Sequence, residues 1–151
     1  MDAVLLDTDV FSFLIRHNDT RGDLYRPHVR NKTVALSFVS VGELYVWAAK
    51  RNWTAKTLAA FEERLKATVI VPYDLELCKE YGRTKAQLPS GRVVPGNDLW
   101  IAVCAIRHAI PLLTHNRKHF EGIPGLALIS ESPATSGRVP HTPPLFEPPT
   151  S

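Results

Sequence analysis

Strand-like and helix-like segments alternate along this chain, and no tight hairpin signal joins any two of the strand-like ones. Strands without hairpins need crossover connections, and crossovers impose parallel pairing. The crossover helices must then cover the faces of the sheet. The expected fold is therefore α/β: a three-layer α/β/α sandwich around a central, mainly parallel sheet. Ala3–Leu6, Thr33–Phe38, Thr68–Val71, Pro111–Thr114 and Ala127–Ile129 read as its five strands. Helical spacing runs from Val10 to Ile15, over Val41–Arg51 and over Ala55–Ala67. A further helix starts at a cap, Asp74, and runs to about Gln87, and another spans Asn97–His108. Asn18–Asp23 reads as a loop, and Pro89–Pro95 as a turn-rich one.

The length of 151 residues suits one domain with a sizeable core. That domain is expected over residues 1–130. Residues 131–151 differ in kind: "SPATSGRVPHTPPLFEPPTS" is rich in proline and poor in core-forming residues. They are expected to form a disordered or loosely draped tail. A net charge of +3 is compatible with a nucleic-acid partner without requiring one. Cys78 and Cys104 lie far apart in apolar helical patterns and read as reduced core thiols. The first residues carry Asp2 rather than a basic leader, and no apolar run approaches the ~20 residues that span a membrane. A cytoplasmic chain without a membrane partner is expected.

The first strand, "VLL", delivers the chain to Asp7, and Asp9 follows two places on. In open parallel sheets, ligands gather beyond the carboxyl ends of the strands. Three other stretches can reach the same rim. Glu43 follows strand two, Asp98 opens the Asn97–His108 helix, and Thr114, His115 and Asn116 end strand four. Carboxylates gathered in one place raise each other's pKa values. A hard divalent cation such as Mg²⁺ or Mn²⁺ relieves the repulsion and prefers oxygen ligands. Such a centre suits metal-assisted hydrolysis of a phosphodiester.

Each acid also has a local reading. Asp9 precedes an apolar helix and suits its N-cap. Ser40-Val41-Gly42-Glu43 fits a capping box. Asp98 at a helix start favours the helix dipole. Asp7 has no cap role if the helix begins at Asp9, which leaves function as its stronger reading. Arg117, Lys118 and His119 read as a solvated helical turn, and His115 is not assigned as a ligand. The convergence of Asp7, Glu43 and Asp98 on one rim is what argues for a site.

Four stretches together resemble the PIN-domain ribonucleases, and within them the VapC-type toxins of toxin–antitoxin pairs. They are "LLDTDVFSFLI", "SFVSVGELYVWAAK", "PGNDLWIAVCAI" and "LLTHNRKHFEGIPGL". The resemblance implies a Mg²⁺- or Mn²⁺-dependent endoribonuclease with Asp7, Glu43 and Asp98 as metal ligands and catalytic acids. It also implies an RNA substrate, a cognate antitoxin and a homodimer. Family members often carry a fourth acid after strand four. Here Asn116 and His119 stand where that acid is expected, so Asn116 joins the catalytic set, with Asp9 and Thr114 in support. Arg83, Lys85 and Arg92 precede the Asp98 helix and are candidates for RNA phosphate contact. Tyr45, Trp47 and Trp53 add aromatic mass near the helix pair after strand two, as core or as interface.

Two rivals remain open. "DTDV" at 7–10 also matches haloacid-dehalogenase-like phosphatases, with Asp7 as nucleophile and Asp9 as general acid. That reading leaves the Glu43 stretch unexplained. A non-catalytic binding module is the other.

Overall fold

The computed structural model describes residues 2–16 and 18–132. Five parallel strands form one sheet in the order β3-β2-β1-β4-β5. They are β1 (Ala3–Leu6), β2 (Thr33–Ser37), β3 (Val69–Val71), β4 (Leu112–Leu113) and β5 (Leu128–Ile129). Among the described residues, seven helices accompany them: α1 (Thr8–Ile15), α2 (Thr20–Val29), α3 (Phe38–Lys50), α4 (Ala55–Lys66), α5 (Leu75–Gln87), α6 (Gly96–His108) and α7 (Arg117–Phe120). All five expected strands are present. The proline-rich tail is expected over 131–151, and residues 133–151 lie outside the described ones.

The period-two pleat divides the core into two layers. Val4 and Leu6 of β1, Leu36 of β2 and Leu113 of β4 face one way. They pack with Val10, Phe11 and Phe13 of α1, Tyr25 of α2, Leu44 of α3 and Phe61 and Leu65 of α4. Leu5, Ala35 and Leu112 face the other way, onto Leu77 of α5 and the apolar run Leu99–Ala105 of α6. The β1 strand is thus buried on both sides, which is why it reads as an unbroken apolar run. Phe61 meets Phe11, Tyr45 and Trp53 edge to face, so the aromatic surplus is largely one cluster, with Tyr45 40% exposed at its margin.

Four local expectations need correction. Helix α1 begins at Thr8, and Asp7 is its N-cap, accepting the Thr8 N–H at 2.8 Å. Asp9 is therefore a first-turn residue, not the cap, and Asp7 has a cap role after all. Helix α3 begins three residues earlier than its spacing suggests. Ser37 caps it by accepting the Ser40 N–H at 3.1 Å, so Ser40 and Glu43 form no capping box. Cys104 is a buried free thiol as expected, but Cys78 is exposed on α5.

The fourth correction is α2, where a loop was expected. "TRGDLYRPHV" contains glycine and proline and has no apolar stripe. Its helix depends on Asp19, which accepts the Arg21 N–H, and on packing against α1. Tyr25 is fully buried there. Gly22 lies against the Phe13 carbonyl so closely that an added Cβ would sit 2.7 Å from its oxygen. Alanine normally favours a helix interior over glycine by about 1 kcal/mol. Here the backbone contact reverses the sign. Gly22→Ala is expected to destabilise the protein by about 1–3 kcal/mol in urea unfolding, and a gain in stability would show α2 to be loosely docked.

Candidate active site

Strand register builds the site. Leu6 pairs with Leu36 of β2 and Leu113 of β4. The next residues, Asp7, Ser37 and Thr114, therefore meet at the carboxyl rim. The Asp7 N–H donates to the Leu113 carbonyl at 2.8 Å, carrying the ladder one residue past β1. After β3 the chain returns to the other side of β1, so β1 and β4 flank the topological switch point. Crevices at such points are where α/β sheets bind ligands.

Hydroxyls aim the acids. Thr114, fully buried, donates its Oγ1–H to Asp7 Oδ2 at 2.7 Å. Its Oγ1 accepts the Asn116 N–H at 3.0 Å. Asn116 Nδ2 lies 2.8 Å from His119 Nδ1, which lies 2.7 Å from Asp98 Oδ2. An arc of contacts thus runs from Asp7 through Thr114, Asn116 and His119 to Asp98; His119 Nδ1 serves Asp98 when it carries the proton and Asn116 Nδ2 when it does not. Thr8 Oγ1 lies 2.9 Å from both Glu43 Oε1 and Ser40 Oγ, which ties α1 to α3 beside the arc. Asp98 sits in the first turn of α6, where no side chain caps the helix.

The acids act on one another. Burial, then the neighbouring Asp9 carboxylate, pushes Asp7 well above the usual carboxylate range, and Asp98 adds to the push. Burial pushes Asp9 up to about 6, opposed by its bond from the Val10 N–H and by a hydrogen bond with Asp7. Burial also raises Glu43, and Asp98 and Asp9 raise it further against the Thr8 hydroxyl. Among the described residues, no lysine or arginine is a principal group that shifts these three, and hydrogen bonds are what oppose the rise.

A hard divalent cation fits that donor set: several carboxylates with unbalanced charge and oxygen atoms only. Among the described residues, no three His, Cys, Asp or Glu side chains already stand as a ready-made metal cage. The carboxylates are instead occupied by Thr8, Thr114 and His119.

The structure brings Asp7, Asp9, Glu43, Asp98, Thr114 and Asn116 together. Sequence reasoning missed Thr8 and Ser40, whose roles depend on α1 lying against α3; His119 is exposed, as it read, and the missed feature is its contact with Asp98. His115 is structural. Its Nδ1 lies 2.7 Å from the Tyr25 hydroxyl, its ring meets Phe13 edge-on, and burial holds its pKa below the usual range. The three candidate RNA cations have partners within the chain. Arg83 pairs with Glu80, Lys85 Nζ lies 5.8 Å from the centre of the Tyr81 ring, and Arg92 donates to carbonyls of α7 and its end.

A family model described as the PIN domain matches residues 4–126. The chain belongs to the PIN-domain family. That match takes in the Glu43 stretch, which the phosphatase reading left out. Among relatives of this PIN-domain chain, Ribonuclease VapC2 of Haemophilus influenzae is 27% identical over 129 residues, 85% of this chain and 96% of that protein. Ribonuclease VapC2 of Rickettsia felis is 28% identical over 126 residues, 82% of this chain and 94% of that protein. Among solved structures, VapBC2 from Rickettsia felis, bound to a DNA fragment from its promoter, aligns with a TM-score of 0.74 and 26% identity. The alignment covers 85% of this chain and 98% of that one.

The raised carboxyl groups make stability depend on pH. An ordinary Asp titrates near 3.8, and Asp9 in the folded chain near 6. Folding therefore takes up protons in that interval. The stability Asp9 contributes is fully present below about pH 3.8 and is lost as pH rises through 6. Asp9→Asn removes this loss. In metal-free buffer, urea unfolding is expected to show the variant gaining on wild type between pH 4 and 7.5. The gain should be on the order of 1–2 kcal/mol, trimmed by the solvent contact Asp9 retains. A gap that does not change with pH would contradict the assignment.

Proposed function

We propose that this PIN-domain chain is a Mg²⁺- or Mn²⁺-dependent endoribonuclease, the toxin of a toxin–antitoxin pair. Its substrate is RNA, and its protein partners are a cognate antitoxin and a second copy of itself. One observation carries the reading: at the carboxyl rim of a PIN-domain sheet, burial and the charge of neighbouring acids raise Asp7, Asp9 and Glu43, and among the described residues no lysine or arginine is a principal group that shifts them. The relatives named as VapC ribonucleases, and the solved VapBC complex, support the activity and the antitoxin. Among the described residues, no helix is long and apolar enough to cross a membrane.

Asp7, Glu43 and Asp98 would hold the cation, with Asp9 adding negative charge. When bound, the cation supplies an acidified water and a counter-charge for the phosphoryl oxygens. The chain's own residues do the rest. Thr114 fixes the Asp7 carboxylate by donating to Oδ2, which leaves Oδ1 on the Thr8 amide. Thr8 holds Glu43, and His119 holds Asp98 by donating from Nδ1. Preset carboxylates need little reorganisation when charge develops on the phosphate.

Purified full-length protein is expected to cut single-stranded RNA internally with Mn²⁺ or Mg²⁺ and to stop with EDTA. Asp7→Asn and Asp98→Asn should each lower the rate at least about a hundredfold, the upper end for losing even an outer-sphere partner. Neither should unfold the protein, because each removes charge from a crowded site. Cleavage that survives EDTA, or a variant with wild-type rate, would defeat the reading. Thr114→Val removes both the donor to Asp7 and the acceptor of the Asn116 N–H. It should weaken divalent-cation affinity about tenfold, read as a smaller thermal shift on Mn²⁺ addition.

A further inference from the structure

A pocket of about 270 Å³ opens beside the first turn of α6. Lys85 and Leu88 at the end of α5, Arg92, Val93 and Val94 in the connecting loop, and Leu99 of α6 line it. Apolar side chains combine there with two cations, and no acid is among the lining residues. We propose that this pocket is a subsite for one nucleotide of the RNA. It takes a base against Leu88, Pro89 and Val94 and the adjoining phosphate on Lys85 and Arg92. The proposal rests on the ribonuclease reading above.

Size, chemistry and position support it. The volume falls below the roughly 300–1,000 Å³ of pockets for drug-sized ligands, so it suits one unit of a polymer. A ligand matched to this lining has a flat apolar part beside an anion, and a nucleotide has both. A polyanion also gains from every cation it meets. The pocket is linked to the acid cluster through Arg92 rather than through Leu99, which is buried. Arg92 ties the two mechanically: Nη2 donates to the carbonyls of His119 at 3.1 Å and Glu121 at 2.9 Å. His119 is the residue that holds Asp98. A nucleotide seated against Arg92 therefore touches the group that anchors α7 beside the reacting centre.

Val93 is 82% exposed, so Val93→Glu places a carboxylate at the pocket with little packing cost. Lys85→Gln removes one cation, and Lys56→Gln, on an exposed position of α4, serves as control. Two measurements use the full chain. Fluorescence anisotropy with a labelled single-stranded RNA hexamer in EDTA gives Kd, and cleavage with Mn²⁺ gives KM and kcat. Val93→Glu is expected to raise Kd and KM about tenfold, and Lys85→Gln about threefold. The loss should fall on KM rather than kcat, and the control should match wild type. Wild-type values for Val93→Glu, in a protein that does bind and cut RNA, would overturn the subsite while the ribonuclease reading stands. A pocket that serves a protein partner would give that same result. Failure of the wild type to bind or cut RNA would overturn both.

Discussion

A single backbone hydrogen bond, from the Asp7 N–H to the Leu113 carbonyl, fixes the geometry on which the site depends. It extends the parallel ladder one residue beyond β1 and seats Asp7 beside Thr114. The same register puts Ser37 on the other flank, where it caps α3 and sets the helical phase that delivers Glu43 to Thr8. A slip of one residue would turn every β1 side chain to the opposite face. It would move Val4 and Leu6 off α1 and carry Asp7 away from Thr114. Core packing and acid placement are thus one constraint seen from two sides.

Buried carboxylates are costly unless they are paired or hydrogen-bonded. This chain uses hydroxyls, amides and an imidazole rather than a lysine or arginine. An arginine salt bridge would lower the acids' pKa values and stabilise the fold, but it would also occupy the oxygens and cancel the charge that draws a cation. Thr114, Thr8 and His119 orient Asp7, Glu43 and Asp98 while leaving the negative charge in place. The protein accepts a destabilised cluster of buried acids as the condition for binding a divalent ion. His119, exposed at the rim, is the group that holds Asp98.

Much of this was legible in the sequence. Apolar runs of four or five residues, stopped by prolines and acids, marked the strands, and their alternation with helical spacing dictated the parallel sheet. The acids were legible because a rim position explains why β1 should end on Asp7. Phase at the helix starts was not. Thr8 and Phe38 begin their helices earlier than the apolar spacing shows, because the caps Asp7 and Ser37 lie inside the strand pattern. Helix α2 was invisible for a related reason. Its stability comes from Tyr25 and Gly22 against α1, contacts of tertiary origin that propensity does not record. The partners of Arg92 were equally hidden, since nothing local marks an arginine that reaches carbonyls 27 and 29 residues onward.

The position of β1 has a consequence for synthesis. The strand is made first, yet it stays half-paired until Leu112 and Leu113 arrive to flank it. Asp7 waits for Thr114, and Asp98 waits for His119. At about 5–20 residues per second, translation spends several seconds producing the chain between those partners. A nascent chain whose last strands have yet to emerge therefore lacks the Thr114 and His119 side chains that orient Asp7 and Asp98.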